Sequence, residues 1–592
     1  MSEVEAPEEV SGGERAPRWL LRLVCEVEPE RVERVRALAR EAWPKAQARW
    51  SSFLLLREPK VVLGLPSVAQ IHLGERQISL DGGQIARLGL EGSIEAILAH
   101  EVGHHVRYPA SLTTHARMRL LEKSLVPLDH YSMLNLFTDL LINESLGREL
   151  APELSAVYRA FHGEIRGKRD PVFLFVMAVY EELWGQPVGS LMGPGWEDFA
   201  RRYPMHRVDA RLVAQKLFPM ASNIYLQLLY FLSLASRYLA PLEGDKPESY
   251  DPYDCIGDEP SPEDWADALI PSAREREALA RALKEGWLRQ EDHDRVQGQS
   301  ALERRVALLP GQGTGDASMV PEIMAAYYRQ QAERLLIKPP PAPVMGEAVV
   351  PTSLDEWEPG DAVRDIDWLQ TLSQRGPVLG AAAPLKRTLI AEVEGFETPY
   401  WSPRVEIYLD VSGSMPDPRR TRNAMTLAAQ IMTLGATRAG GAARALLYSS
   451  EYVRYWSWCR SETEISKFLM HYVGGGTRFP FEVLADSVQE QRGQAPTRVV
   501  ISDGDFVSNC AGQPQGCYDA AWVGRVPGLL REASAASAPL VLLLHAVAEQ
   551  DAKPLRALGA QVVLVEDMED FPKMAVKLSR ALFQERKHGR VF

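Results

Sequence analysis

Residues whose types and spacing can do chemistry gather in two places along the 592-residue chain. The first is Ile94-Glu95-Ala96-Ile97-Leu98-Ala99-His100-Glu101-Val102-Gly103-His104, which contains His-Glu-x-x-His inside an apolar-periodic run. On a helix, His100 and His104 stand one turn apart on one face, where two imidazoles can hold one Zn²⁺. Glu101 beside them can act as general base on the water that such an ion activates. Ile94, Leu98 and Val102 form an apolar face, and the two histidines point away from it. His105 falls on the apolar side and reads as packed rather than ligating.

A catalytic zinc needs a third protein ligand and one open position. The run Asn135-Leu136-Phe137-Thr138-Asp139-Leu140-Leu141-Ile142-Asn143-Glu144 offers two carboxylates. Asp139 and Glu144 point about 140° apart on a helix, so they cannot both reach one ion. Asn135, Asp139 and Asn143 share a polar stripe. That favours Asp139 as the ligand, with the two asparagines as hydrogen-bonding groups behind the ligands. Glu144 is the alternative. Arg107, Tyr108, His115 and Tyr131 are candidates to stabilise an oxyanion.

The second place is assembled from three separated stretches: Asp410-Val411-Ser412-Gly413-Ser414, Gly474-Gly475-Gly476-Thr477 and Ile501-Ser502-Asp503-Gly504-Asp505. Hydroxyls and carboxylates are hard oxygen donors suited to Mg²⁺ or Mn²⁺. The structural alternative is an Asp-rich strand end that caps helices.

The elements that must position these residues differ between the two halves. Residues 18–50 read as helix, 52–80 as four short strands, 91–107 as the histidine-bearing helix and 131–147 as the aspartate-bearing helix. Further helices are expected at 150–165, 170–184, 207–217 and 220–240. This order predicts a mostly helical α+β domain over 17–242, after a disordered tail at 1–16. Residues 243–350 read as a linker with helical segments and a stiff Pro-rich spacer, Lys338-Pro339-Pro340-Pro341-Ala342-Pro343. From Arg404 strand and helix alternate, which predicts a doubly wound parallel sheet within a domain over 351–592. Ligands of such sheets sit beyond the carboxyl ends of the strands, where Asp410 and Asp503 fall.

Composition narrows the function. The net charge of −13 argues against a general nucleic-acid binder. Five widely spread cysteines read as reduced thiols, and no signal peptide or membrane span is expected, so the expected location is cytoplasmic. The apolar run Ile224–Leu242 carries Gln227, Ser233, Ser236 and Arg237 and reads as a buried core helix.

Three resemblances follow from these motifs. Residues about 50–150, with His-Glu-x-x-His and then Asn135, Asp139 and Asn143 in an N-x-x-x-D-x-x-x-N helix, resemble a zincin-type metallopeptidase domain found in bacterial proteins. In those proteins it precedes a von Willebrand factor A-like domain, and the likeness implies a zinc peptidase fold. Asp410, Ser412, Ser414, Thr477 and Asp503 resemble the metal-ion-dependent adhesion site of von Willebrand A domains, which implies capture of a partner's carboxylate through Mg²⁺. Gly360-Asp361-Ala362-Val363-Arg364-Asp365-Ile366-Asp367-Trp368 is similar to a G-D-x-x-R-x-I-D-W signature of bacterial proteins encoded beside MoxR-type AAA+ ATPases. It implies docking to such an ATPase through Asp361, Arg364, Asp367 and Trp368. The bland reading of that stretch is a β-turn with Trp368 in the core. The chain lacks a Walker A motif, so it is not the ATPase itself.

Overall fold

The computed structural model describes residues 29–51, 54, 56–126, 132–163, 170–239, 258–298, 300–310, 319–336, 351–358, 361–375, 383–389, 403–490, 495–511, 522, 524–535 and 539–584. The expected tail, most of the 241–262 stretch, the Pro-rich spacer and Tyr131 lie outside these residues. The chain divides into two compact units. One comprises residues 1–330 with 416–422, the other residues 331–415 with 423–592.

The first unit is mostly helical around one small sheet. Strands β1 (Lys60–Val62), β2 (Ala69–His72) and β3 (Gln77–Asp81) lie in the order β1-β3-β2. β1 runs parallel to β3, and β2 antiparallel to it. The histidine-bearing helix spans Ile94–Val106 and is entered through a short 3₁₀ turn, Glu91–Ser93. A helix at Leu112–Leu125, capped by Ser111 Oγ on Thr114 N–H, was not anticipated from the sequence.

The aspartate-bearing helix is longer than its pattern suggests. It runs from Leu134 to Ala160, with Pro152 inside it, and joins the two helices expected at 131–147 and 150–165. Gly147 reads as a terminator in sequence, but its role is contact. A Cβ there would lie 2.5 Å from Trp184 Nε1. The segment 263–290 is not one helix but includes Pro262–Ala268 and Ala273–Lys284, each opened by a capping box. These helices lie with the first unit, and Ala278, Leu279 and Ala282 share its apolar core. No described helix is long and apolar enough to cross a membrane.

The second unit is α/β. Its six strands are β6 (Arg404–Asp410), β7 (Ala442–Tyr448), β8 (Tyr452–Cys459), β9 (Thr497–Ser502), β10 (Leu540–His545) and β11 (Gln561–Val565), in the order β11-β10-β9-β6-β7-β8. Before them, β4 (Pro351–Glu356) and β5 (Leu385–Leu389) form an antiparallel pair absent from the sequence reading. The expectation of an all-parallel sheet needs one correction, because β8 pairs antiparallel with β7. The tight turn Ser449–Glu451 explains it: a parallel crossover needs a dozen or more residues. The chain runs from β6 to β7 on one side and returns to β9 on the other. The loops after β6 and β9 therefore diverge, leaving a crevice at their carboxyl ends.

The stretch read as a docking signature follows β4. Asp361 accepts from Lys386 Nζ at 2.6 Å and from Glu358 N–H at 2.8 Å. Asp367 caps the helix Trp368–Arg375 through Gln370 N–H at 3.0 Å. Trp368 is not in the core: 45% of it is exposed, alongside Leu369 at 77% and Arg364 on the surface.

Candidate metal centres

The first cluster depends on a close helix crossing. A Cβ on Gly103 would lie 2.6 Å from the Trp50 ring and 2.7 Å from an Ile142 methyl. Only glycine lets the histidine helix approach the helix that carries Ile142 so closely. Trp50 fixes the same contact from the side, donating from Nε1 to the Ala99 carbonyl at 2.7 Å.

At this crossing three donor atoms converge. His100 Nε2 and His104 Nε2 are 3.2 Å apart. Asp139 Oδ1 stands 3.4 Å from the first and 3.2 Å from the second. The outer nitrogens decide the tautomers. His100 Nδ1 meets Asn143 Oδ1 at 2.7 Å, and His104 Nδ1 meets the Tyr108 carbonyl at 2.8 Å. Both partners are acceptors, because the Asn143 amide nitrogen is committed to the Tyr158 and Tyr180 hydroxyls at 2.9 Å each. Both Nδ1 atoms therefore carry the proton, and both Nε2 lone pairs face a carboxylate oxygen.

Three lone-pair donors packed this way repel unless a cation lies among them. A tetrahedral ion with ligands at about 2.0–2.1 Å places them about 3.3 Å apart. The observed separations match that edge. His100, His104 and Asp139 form the one His/Cys/Asp/Glu group among the described residues whose geometry could hold a metal. Glu144 and Asn135 are half-buried, and Glu144 lies outside this group.

Glu101 is fully buried on the same helix as the histidines. His105 is half-buried and outside the group. Of the oxyanion candidates, Arg107 is exposed and lies over the Tyr108 ring at 5.2 Å. Tyr108 contributes its carbonyl to His104. Burial, then Arg119 and His104, push the His115 imidazole down to about 3, so it is neutral.

Sequence reasoning missed three groups here. Tyr158 and Tyr180 fix Asn143, and Glu122 caps the start of the aspartate helix. Glu122 accepts from Met133 N–H at 2.6 Å and Ser132 Oγ at 2.8 Å. Burial pushes its carboxyl up to about 7. No local motif marks any of them.

The second cluster lies in the crevice after β6 and β9. Asp410 accepts from Ser502 Oγ at 2.7 Å and from Ser412 N–H at 3.0 Å. Ser412 Oγ and Ser414 Oγ are 3.2 Å apart, and Ser414 Oγ donates to Asp503 Oδ2 at 3.4 Å. The glycine loop is tied alongside: Gly413 N–H donates to the Gly475 carbonyl at 2.7 Å. Gly474 and Gly475 have φ of 71° and 88°, which L side chains rarely adopt. Thr477 follows this turn and is buried. Its carbonyl accepts from Asn509 Nδ2 at 3.1 Å.

Burial pushes the Asp410 carboxyl up to about 6 despite its hydrogen bonds, and the nearby Asp503 adds to the rise. Asp503 is raised as well, chiefly by burial. The two acids with the Ser412 and Ser414 hydroxyls are a donor set that fits a hard cation. Ser502 is the group the sequence reading passed over, although it immediately precedes Asp503.

No family model and no curated protein matches the chain. Among solved structures, it is similar to an aerotolerance-related membrane protein from Bacteroides fragilis NCTC 9343 carrying multiple mutations to serines. The identity is 11%, the TM-score 0.22, and the match covers 30% of this chain and 99% of that one. A likeness of that size decides nothing about function, which rests on the geometry above.

Proposed function

We propose that the chain is a two-cation protein: a zincin-like zinc hydrolase unit joined to a von Willebrand A-like unit that captures a partner. The single observation behind the first half is the triangle of donors at 3.2, 3.2 and 3.4 Å. Its edge length, its buried second donors and its forced tautomers fit zinc. Zinc bound there would supply Lewis acidity toward a peptide carbonyl and lower the pKa of a coordinated water. His100, His104 and Asp139 hold the ion, Asn143 and the Tyr108 carbonyl orient the rings, and Glu101 takes the proton from attacking water. In the second half, Asp410, Ser412, Ser414, Thr477 and Asp503 hold Mg²⁺ or Mn²⁺, leaving a position for a partner's carboxylate. The exposed Trp368, Leu369 and Arg364 support the docking of a MoxR-type AAA+ ATPase.

A second reading, a non-catalytic adaptor with a structural zinc, is favoured by burial. His100, Glu101 and His104 are 0% exposed and Asp139 is 1% exposed, so a substrate reaches the ion only if the unit opens. Glu101→Gln separates the two. Under the hydrolase reading it keeps zinc and abolishes cleavage of an unfolded-protein substrate such as casein. Zinc retained with no cleavage by the wild type under any partner condition establishes the adaptor.

A further inference from the structure

A cavity of about 240 Å³ opens beside the Asp410 cluster, lined by Ser450, Glu451, Tyr452, Arg478, Pro480 and Glu482. It adjoins the cation loops. Arg478 follows Thr477 directly, and its N–H donates to the Ser449 carbonyl at 2.8 Å. A Cβ on Gly475 would lie 2.8 Å from Ser450 Oγ. Register places it more closely still: Asp410 pairs with Tyr448, and Tyr448 pairs with Tyr452. Two strand spacings put the cavity mouth roughly 10 Å from Asp410 along the sheet edge.

The lining has a definite chemistry. Glu451 and Glu482 supply two carboxylates, and Arg478 supplies one guanidinium, 4.0 Å from Glu482. The balance is one negative charge. The half-exposed Tyr452 ring and Pro480 give flat surfaces for an aliphatic stem or a cation over an aromatic face. The volume suits one long side chain.

We infer that this cavity takes a Lys or Arg side chain of the partner whose Asp or Glu completes the cation site. The inference rests on the cation reading of the Asp410 cluster and adds its specificity. A dication and a net-negative cavity about 10 Å apart recognise an acid and a base of opposite sign, separated by about three residues of extended chain. A partner with an acid alone binds the cation but leaves the net negative charge of the cavity unmatched.

The test uses the full-length chain on an array of immobilised glycine-serine peptides. Each carries one Asp with Lys, Arg, Ser or Glu placed one to four residues away, probed in Mg²⁺ and in EDTA. Retention on Lys and Arg spots should exceed that on Ser spots by about threefold or more in Mg²⁺, with Glu spots lowest. The double variant Glu451→Gln/Glu482→Gln should lose that preference while keeping Mg²⁺-dependent retention on Asp spots and unchanged Mn²⁺ binding. Equal Mg²⁺-dependent retention on Lys, Ser and Glu spots overturns the cavity assignment alone. Retention that ignores Mg²⁺ on every spot, with Asp410→Ala identical to wild type, overturns the cation reading and the assignment together.

Discussion

The His100 cluster and the Asp410 cluster hold their donors in opposite ways. The first is a closed triangle of two imidazoles and a carboxylate, all at or below 1% exposed, braced by Asn143, Tyr158 and Tyr180. The second is a half-open set of oxygens at the end of β6 and on loops, with Asp410, Ser412 and Thr477 buried, Asp503 half-buried and Ser414 on the surface. Nitrogen donors braced by outer hydrogen bonds suit a tightly held borderline-soft ion, whereas loop oxygens suit a hard ion that exchanges and shares itself with a partner. Under the proposed reading, the closed set keeps its ion to the fold and the open set offers its ion to a partner.

The largest expected effect falls on the closed site. Removing His104 by His104→Ala should abolish zinc binding and lower the melting temperature of the first unit, because metal and fold are linked. Mn²⁺ binding at the second site should be unchanged. Loss of both would erase the contrast between the clusters.

Gly103→Ala sharpens the comparison next. Its methyl would meet Trp50 and Ile142 at 2.6 and 2.7 Å. Overpacking of this kind costs about 1–3 kcal/mol. It should also spread the donor triangle and reduce zinc occupancy, measured by metal analysis and thermal unfolding. Normal zinc content and stability would show that the close crossing is not what sets the triangle.

Asn143→Ala should weaken zinc about 10- to 100-fold in competitive chelator titrations, since it releases the His100 ring and leaves two buried phenols without their amide. The matching change in the open site should be milder in stability. Asp410→Asn should abolish Mn²⁺ binding while shifting the melting temperature little. Because the Asp410 carboxyl is pushed up to about 6, protons compete with the cation. Mn²⁺ affinity should therefore fall as pH drops through about 6. A flat profile from pH 7 to 5 would remove Asp410 from the ligand set.

The last effect, at Glu122, touches neither set of donors and shows only in the pH dependence of stability. The Glu122 carboxyl is raised from 4.5 to about 7, so the fold favours the neutral acid. That contribution is complete below about pH 4.5 and fades as pH rises through 7, when the charge must be buried. Glu122→Gln should flatten the stability profile between pH 5 and 8, followed by urea unfolding.

What could be read in the sequence was local. His-Glu-x-x-His lies on one helix, and the stripe of Asn135, Asp139 and Asn143 singled out Asp139 before any fold was known. Two of the three oxygen-bearing stretches announced themselves because each sits at the end of an apolar strand, while the glycine loop with Thr477 follows a helix. What escaped was set by distant packing. Gly147 and Pro152 look like helix terminators, yet helical backbone runs through both, with Gly147 seated against Trp184 and the segment bent enough for Tyr158 to reach Asn143. The phenols behind Asn143, the antiparallel turn into β8 and the cavity beside Tyr452 arise from pairings that no local pattern encodes.

The most direct measurement is metal content by elemental mass spectrometry on carefully prepared full-length protein, beside His100→Ala, Asp139→Ala and Glu144→Ala. One zinc per chain in the wild type and in Glu144→Ala, lost in the other two, is the expected result. Zinc absent from the wild type, or retained without His100 and Asp139, would contradict the assignment of the donor triangle as a metal site.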